Sequence, residues 1–142
     1  MRTLLGVAVA VSVMSLGTNA AVVPVGLQAG DISVAASYKG KGPVDDKHKI
    51  LVFLFDHPNP TAASSPLATL SISKNGDVVT FKGVTAKTAY VTMVYDEKSN
   101  YDGNSPPPVG APIGSYSKGG KPIPVKPGDK VKATFDDSVR WK

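Results

Sequence analysis

Ile50-Leu51-Val52-Phe53-Leu54-Phe55 is a run of six apolar residues with no polar side chain among them. A strand with one wet face alternates apolar and polar residues, whereas a strand apolar at every position has to be covered on both faces. Six residues is strand length, too short for a buried helix. The run therefore predicts a central strand with material over each face. Asp56-His57-Pro58-Asn59-Pro60 ends it with the composition of a loop.

The same grammar extends in both directions. Upstream, Ile32 to Tyr38 alternates with Ile32, Val34 and Ala36 on one face, and Lys39-Gly40-Lys41-Gly42-Pro43 stops it. Downstream, Leu67 to Ser73 sets Leu70 and Ile72 against Thr69, Ser71 and Ser73. Lys74-Asn75-Gly76-Asp77 is the strongest turn signal, because Asn-Gly suits the positive φ values of a tight hairpin. Val78 to Phe81 is expected to return as the partner strand, and Lys82 to Lys87 as a crossing loop. Ala89 to Tyr95 alternates Tyr90, Thr92 and Val94 against Val91, Met93 and Tyr95. A long loop is expected from Asp96 to about Gly120, then strands over Lys121–Val125 and Lys130–Phe135 around a Pro127-Gly128-Asp129 turn. Helical apolar spacing is absent, and most of the twelve prolines fall in the loops, as strand ladders require. About seven short strands separated by turns predict an all-β sandwich or barrel.

Residues 1–20 read as a secretory signal peptide. Arg2 is the positive start, Leu4 to Leu16 the apolar run, and Thr18-Asn19-Ala20 the small-residue cut before Ala21. The apolar run of 13 residues falls short of the roughly 20 that span a bilayer. No later stretch is long and apolar enough to span. The chain has no cysteine, which excludes a lipobox anchor and any disulfide. Residues 21–30 read as a lead-in and 31–142 as one β-sandwich domain. The expected location is secreted or periplasmic.

The formal charge is +5, and removing Arg2 with the leader would leave +4. The lysines are scattered among turns and strand ends rather than gathered in a basic stripe with aromatics. That pattern predicts a solubilising surface and no nucleic-acid partner.

Two segments carry possible chemistry. The first is the loop 96–120. Asp96, Asn100, Asp102 and Asn104 place oxygen donors within nine residues, which could gather a calcium ion. Lys98 lies inside the loop and no far acidic residue supplies a bidentate ligand, so it is no EF-hand. The competing reading is an Asx-rich loop that satisfies its own backbone. Pro106-Pro107-Pro108 stiffens the continuation. Tyr101, Val109, Ile113 and Tyr116 then either face a partner or fold over the sandwich as a lid. The second segment holds Asp56, His57 and the serines Ser64 and Ser65. No Gly-x-Ser-x-Gly elbow accompanies them, so His57 reads as a solvated loop histidine.

The order Leu54-Phe55-Asp56, Val79-Thr80-Phe81-Lys82-Gly83-Val84, Thr88-Ala89-Tyr90-Val91, Tyr95-Asp96-Glu97-Lys98-Ser99-Asn100 and Ile123-Pro124-Val125-Lys126-Pro127-Gly128 resembles the prealbumin-like sandwich of carboxypeptidase regulatory-like domains. It is closer still to uncharacterised bacterial secreted domains in which an acidic, Asn-rich loop follows a Tyr-containing strand. The likeness covers most of residues 31–137. It implies a seven-stranded antiparallel Greek-key β-sandwich of the prealbumin/transthyretin type with no catalytic role. Lys87-Thr88-Ala89 stands where the pattern has Pro-Gly-Thr, and Lys98 and Ser99 replace an oxygen donor and a glycine. Transthyretin-related hydrolases share a similar sandwich, but their histidine motif and Tyr-Arg-Gly-Ser ending are missing.

The functional expectation is thus a non-catalytic binding or accessory domain using the loop 96–120, with an envelope or extracellular protein or a glycan as partner and no cofactor. The alternative is a calcium-stabilised module for carbohydrate or a small ligand. A secreted hydrolase has the least support.

Overall fold

The computed structural model describes residues 30–142. The expected signal peptide and all but the last residue of the lead-in lie outside the described residues. What is described is all-β, with no helix. The strands are β1 (Gly30–Tyr38), β2 (Ile50–Phe55), β3 (Ala68–Ile72), β4 (Val78–Val84), β5 (Tyr90–Tyr95), β6 (Ile113–Ser115), β7 (Ser117–Lys118), β8 (Lys121–Pro122) and β9 (Lys130–Phe135). They form a three-stranded sheet in the order β4-β1-β9, a four-stranded sheet in the order β3-β2-β5-β6, and the small ribbon β7-β8.

The two larger sheets share one core, in a sandwich-like arrangement. Alternate residues of β1 (Ile32, Val34, Ala36, Tyr38) meet alternate residues of β2 (Ile50, Val52, Leu54) and of β5 (Val91, Met93, Tyr95). Ile32, Val34, Ile50, Val52 and Leu54 have no exposed surface at all. Each such side chain contributes about 1.5–3 kcal/mol by leaving water. At one end the Tyr38 and Tyr95 rings stack with centroids 4.0 Å apart. The Tyr95 hydroxyl reaches out of the core to donate to the Pro43 carbonyl at 2.6 Å.

The central strand is covered on both sides, as its composition requires. Its other alternate set (Leu51, Phe53, Phe55) joins Val94, Tyr101 and Ala111 in a second cluster on the outer face of the four-stranded sheet. The cover there comes from the chain after β5.

Three expectations are corrected. The Asn75-Gly76 turn does not close a hairpin. Although β3 and β4 flank it, β3 pairs with β2 and β4 pairs with β1. The reason lies in the Asn75 side chain, which accepts from the Tyr38 N–H and donates to the Tyr38 carbonyl, both at 2.8 Å. Gly76, at φ 83°, adds an N–H bond to the Ala36 carbonyl at 2.9 Å. These bonds draw the turn onto the end of β1, so the strand leaving it joins the opposite sheet.

The pairing is also not wholly antiparallel, since β9 runs parallel to β1 from Ser33↔Lys130 to Tyr38↔Phe135. The Pro127-Gly128-Asp129 turn docks at the beginning of β1, through Gly128 N–H to Asp31 O at 2.9 Å and Ser33 N–H to Asp129 O at 3.0 Å. A chain that starts beside the first residues of β1 can only run alongside it in the same direction.

Third, Lys121–Val125 is not one strand. Pro122 and Pro124 lack the N–H a ladder needs. Only Lys121–Pro122 pairs, with Ser117-Lys118, while Val125 makes an isolated bridge to Ala89. The place in the large sheet is taken by β6, three residues inside the expected long loop, paired with Thr92–Val94.

Candidate functional site

The chain from Asp96 to Pro112 folds back over the outer face of the four-stranded sheet. Asp96, a buried charged residue directly after β5, starts it. Its carboxylate accepts the N–H of Asn100 at 3.1 Å and of Tyr101 at 3.2 Å. Ser99 takes a left-handed φ of 56° inside this tight loop. Tyr101 then inserts its ring beside Phe53, with centroids 6.3 Å apart, and donates its hydroxyl to the Ser105 carbonyl at 2.7 Å. Burial pushes the Tyr101 phenol up to about 12, and the Asp102 charge adds to that. Gly103 lies against the sheet at φ 82°; a Cβ there would stand 2.7 Å from Leu51 Cδ2. Only glycine combines that backbone conformation with that closeness.

The C-terminal tail completes the cover. Gly110 and Trp141, Ala111 and Trp141, and Ile113 and Val139 exchange backbone hydrogen bonds of 2.8–3.0 Å. The Arg140 guanidinium clamps this ribbon, donating to the Gly110 carbonyl at 2.7 Å and to Glu97 at 3.1 Å.

Between the proline-rich loop after β2 and the turn at residues 103–107 the cover leaves a cleft of about 240 Å³. Phe53, Phe55, Val94 and Ile113 line it from the sheet. Pro60 and Pro66 line it from one loop, Pro106 and Pro107 from the other, and Trp141 from the tail. Thr61, Ser64, Ser65, Asn104 and Ser105 supply polar atoms. Among the described residues no Asp, Glu, Lys, Arg or His side chain lines it. On a chain with sixteen Lys and Arg and eleven Asp and Glu, that is a marked local departure.

A line of side chains ends on the wall of this cleft at Ser64. Asp56 and His57 follow β2, and their side chains meet at 2.6 Å, Oδ1 to Nδ1. The other ring nitrogen, Nε2, lies 2.9 Å from Ser64 Oγ. Ser64 is a wall residue of the cleft and His57 packs edge-on against Phe55, with ring centroids 5.8 Å apart. The hydrogen bond from His57 holds the Asp56 carboxyl below its ordinary range. His57 is a loop residue whose side chain keeps 41 % of its exposure, and it is also tied at both ring nitrogens. Proximity in space of Asp56, His57 and Ser64 depends on how the 58–64 segment turns, which residue types alone do not specify.

The sequence-predicted site residues separate. Tyr101 is buried and Ile113 half-buried, and both line the cleft. Tyr116 packs on the main core instead, while Val109 is 76 % exposed. Of the four oxygen-donor positions, the Asp96 carboxylate is engaged as described and Asp102 Oδ1 accepts the Asn104 N–H at 2.9 Å. The backbone bond from Asn104 holds the Asp102 carboxyl low. Among the described residues no three His, Cys, Asp or Glu side chains converge in a way that could hold a metal ion. Nor is any helix there long and apolar enough to cross a membrane.

Compared with known proteins, the chain matches no family model, no curated protein and no solved structure.

Sequence reasoning missed Trp141 and the cleft itself. Ile50–Phe55 signalled the cover, since a second apolar face demands one, but carried no signal for the cleft beside it.

Proposed function

We propose that this chain is a secreted or periplasmic binding domain of the prealbumin-like Greek-key sandwich class, and that it holds an uncharged small ligand in the cleft on its outer sheet face. The leader-like composition of residues 1–20 supports the location. The three-plus-four strand arrangement around one core supports the class.

The observation that carries the ligand assignment is the lining. Ligand sites are concave and mostly apolar, with a few placed polar groups. Here an apolar sheet surface is walled by stiff prolines, bears serine and threonine hydroxyls, and excludes charge from a charged surface. An ionic ligand entering it would lose water without gaining a counter-charge. The preferred ligand is therefore neutral, with an aromatic or aliphatic face and one or two hydrogen-bonding atoms.

Trp141 is the single tryptophan of the chain, so its fluorescence reports on the cleft directly. Titration with the neutral fluorophore N-phenylnaphthylamine should give saturable one-to-one binding with energy transfer from Trp141. Ser65→Asp, which puts a carboxylate in the wall, should weaken binding about tenfold, equivalent to ~1.4 kcal/mol. Binding that does not saturate, or that Ser65→Asp leaves unchanged, contradicts the assignment. Saturable binding of a neutral oligosaccharide in place of the fluorophore would move the ligand class to glycans.

A further inference from the structure

We propose that Ser64 is a nucleophile, with His57 as its general base and Asp56 as the group that orients His57, and that it is acylated by uncharged esters seated in the cleft. This goes beyond ligand binding, and rests on the cleft assignment only for the choice of acyl group.

Three observations support it. The side chains form a continuous line, Asp56 Oδ1 to His57 Nδ1 at 2.6 Å and His57 Nε2 to Ser64 Oγ at 2.9 Å. Those are the two contacts by which a carboxylate fixes an imidazole tautomer and the imidazole takes a hydroxyl proton. With Nδ1–H donated to Asp56, Nε2 is left as the acceptor for the Ser64 hydroxyl. Second, Ser64 is itself a wall residue of a cleft with an apolar floor. Third, the Thr61 N–H donates to Ser64 Oγ at 2.8 Å. That donor stabilises the negative charge that grows on Oγ as its proton leaves.

The step balances without any further reactant. Ser64 Oγ forms a bond to the ester carbonyl carbon while its proton passes to His57 Nε2. The carbon–alkoxide bond then breaks, and the leaving oxygen takes that proton from Nε2 and departs as an alcohol. Water repeats the sequence on the acyl-serine, restores the hydroxyl and releases the carboxylic acid. The lining selects uncharged acyl groups, because no basic side chain is there to meet an anionic one.

The test uses the full chain and an uncharged alkyl fluorophosphonate, which forms an Oγ–phosphorus bond and releases fluoride. The expected result is a single adduct by intact mass, mapped to Ser64 by peptide sequencing. Ser64→Ala should abolish it, and His57→Gln should slow it about 100-fold. The exposed Ser65 in the same loop serves as internal control and should stay unlabelled. A melting curve of each variant separates lost reactivity from lost folding. Two further outcomes overturn the proposal. One is an unlabelled wild-type protein that still binds N-phenylnaphthylamine, in which case the three side chains only brace the loop and the cleft assignment survives. The other is labelling at Ser64 that proceeds equally fast in folded His57→Gln.

Discussion

Single residues in this protein often do two jobs, and Tyr101 is the clearest case. Its ring fills the space beside Phe53, and its hydroxyl closes the loop onto Ser105. Burial raises its pKa to about 12, and burial, reinforced by the charges of Asp137, Tyr95 and Glu97 against the opposing Arg140, does the same for Tyr38. Tyr95 is raised as well, first by burial and then by nearby acidic groups. A phenol whose pKa is higher in the folded state favours folding while it is neutral in both states. The contribution is complete below the unfolded value of about 10 and is lost as pH rises through about 12. Ultraviolet titration should therefore show late-ionising phenols among the five, and urea midpoints should fall as pH climbs from 10 towards 12. Tyr101→Phe should remove one late step and cost about 1 kcal/mol near neutral pH, the worth of one buried hydrogen bond. Five phenols titrating together near 10 would contradict the packing described for all three.

At the scale of elements, the central strand was fully legible and the connections were not. Ile50–Phe55 announces two buried faces by having no polar position, and both faces are buried. Ile32, Val34 and Ala36, and Val91, Met93 and Tyr95, likewise follow from period-two alternation, which is a property of neighbouring residues. The Asn75-Gly76 turn was visible as a turn and misread as a hairpin. Turn chemistry fixes the backbone of four residues, but the sheet that the next strand joins was set by Asn75 reaching Tyr38, 37 positions away in sequence. The strand β6 was hidden for a different reason, because three residues centred on Gly114 carry too little alternation to register. The role of Asn75 can be measured. Asn75→Ala removes both bonds to Tyr38 and should lower stability in urea by about 1–3 kcal/mol. Asn75→Asp keeps the acceptor, loses the donor, and should fall between. A change in Asn75→Ala within about 0.5 kcal/mol of zero would assign the turn to Gly76 alone.

At the scale of the whole molecule, the sandwich is held without disulfides by one core between two sheets, and its outer sheet face is roofed by loop and tail rather than by a third layer. The roof is pinned at discrete points: Asp96 to its own loop amides, Tyr101 to the sheet, Arg140 to Glu97 and Gly110. Apart from those points, between the loop after β2 and the turn at residues 103–107, lies a cleft with no charged side chain in its lining. The candidate site was legible in part. The loop after Tyr95 stood out by its composition, but residue types alone left open whether Tyr101 would face outward or cover the sheet. Trp141 did not stand out, because a tail gains its place through backbone bonds to Gly110 and Ala111 that leave no mark on residue type. Amide NMR spectra of isotope-labelled protein, recorded while N-phenylnaphthylamine is added, locate the bound ligand without relying on any variant. Shifts confined to Phe53, Phe55, Ser64, Gly103, Ile113 and Trp141, saturating together, are the predicted result. Shifts centred instead on the exposed Val109 or on the β4-β1-β9 sheet, with the cleft amides still, would contradict it.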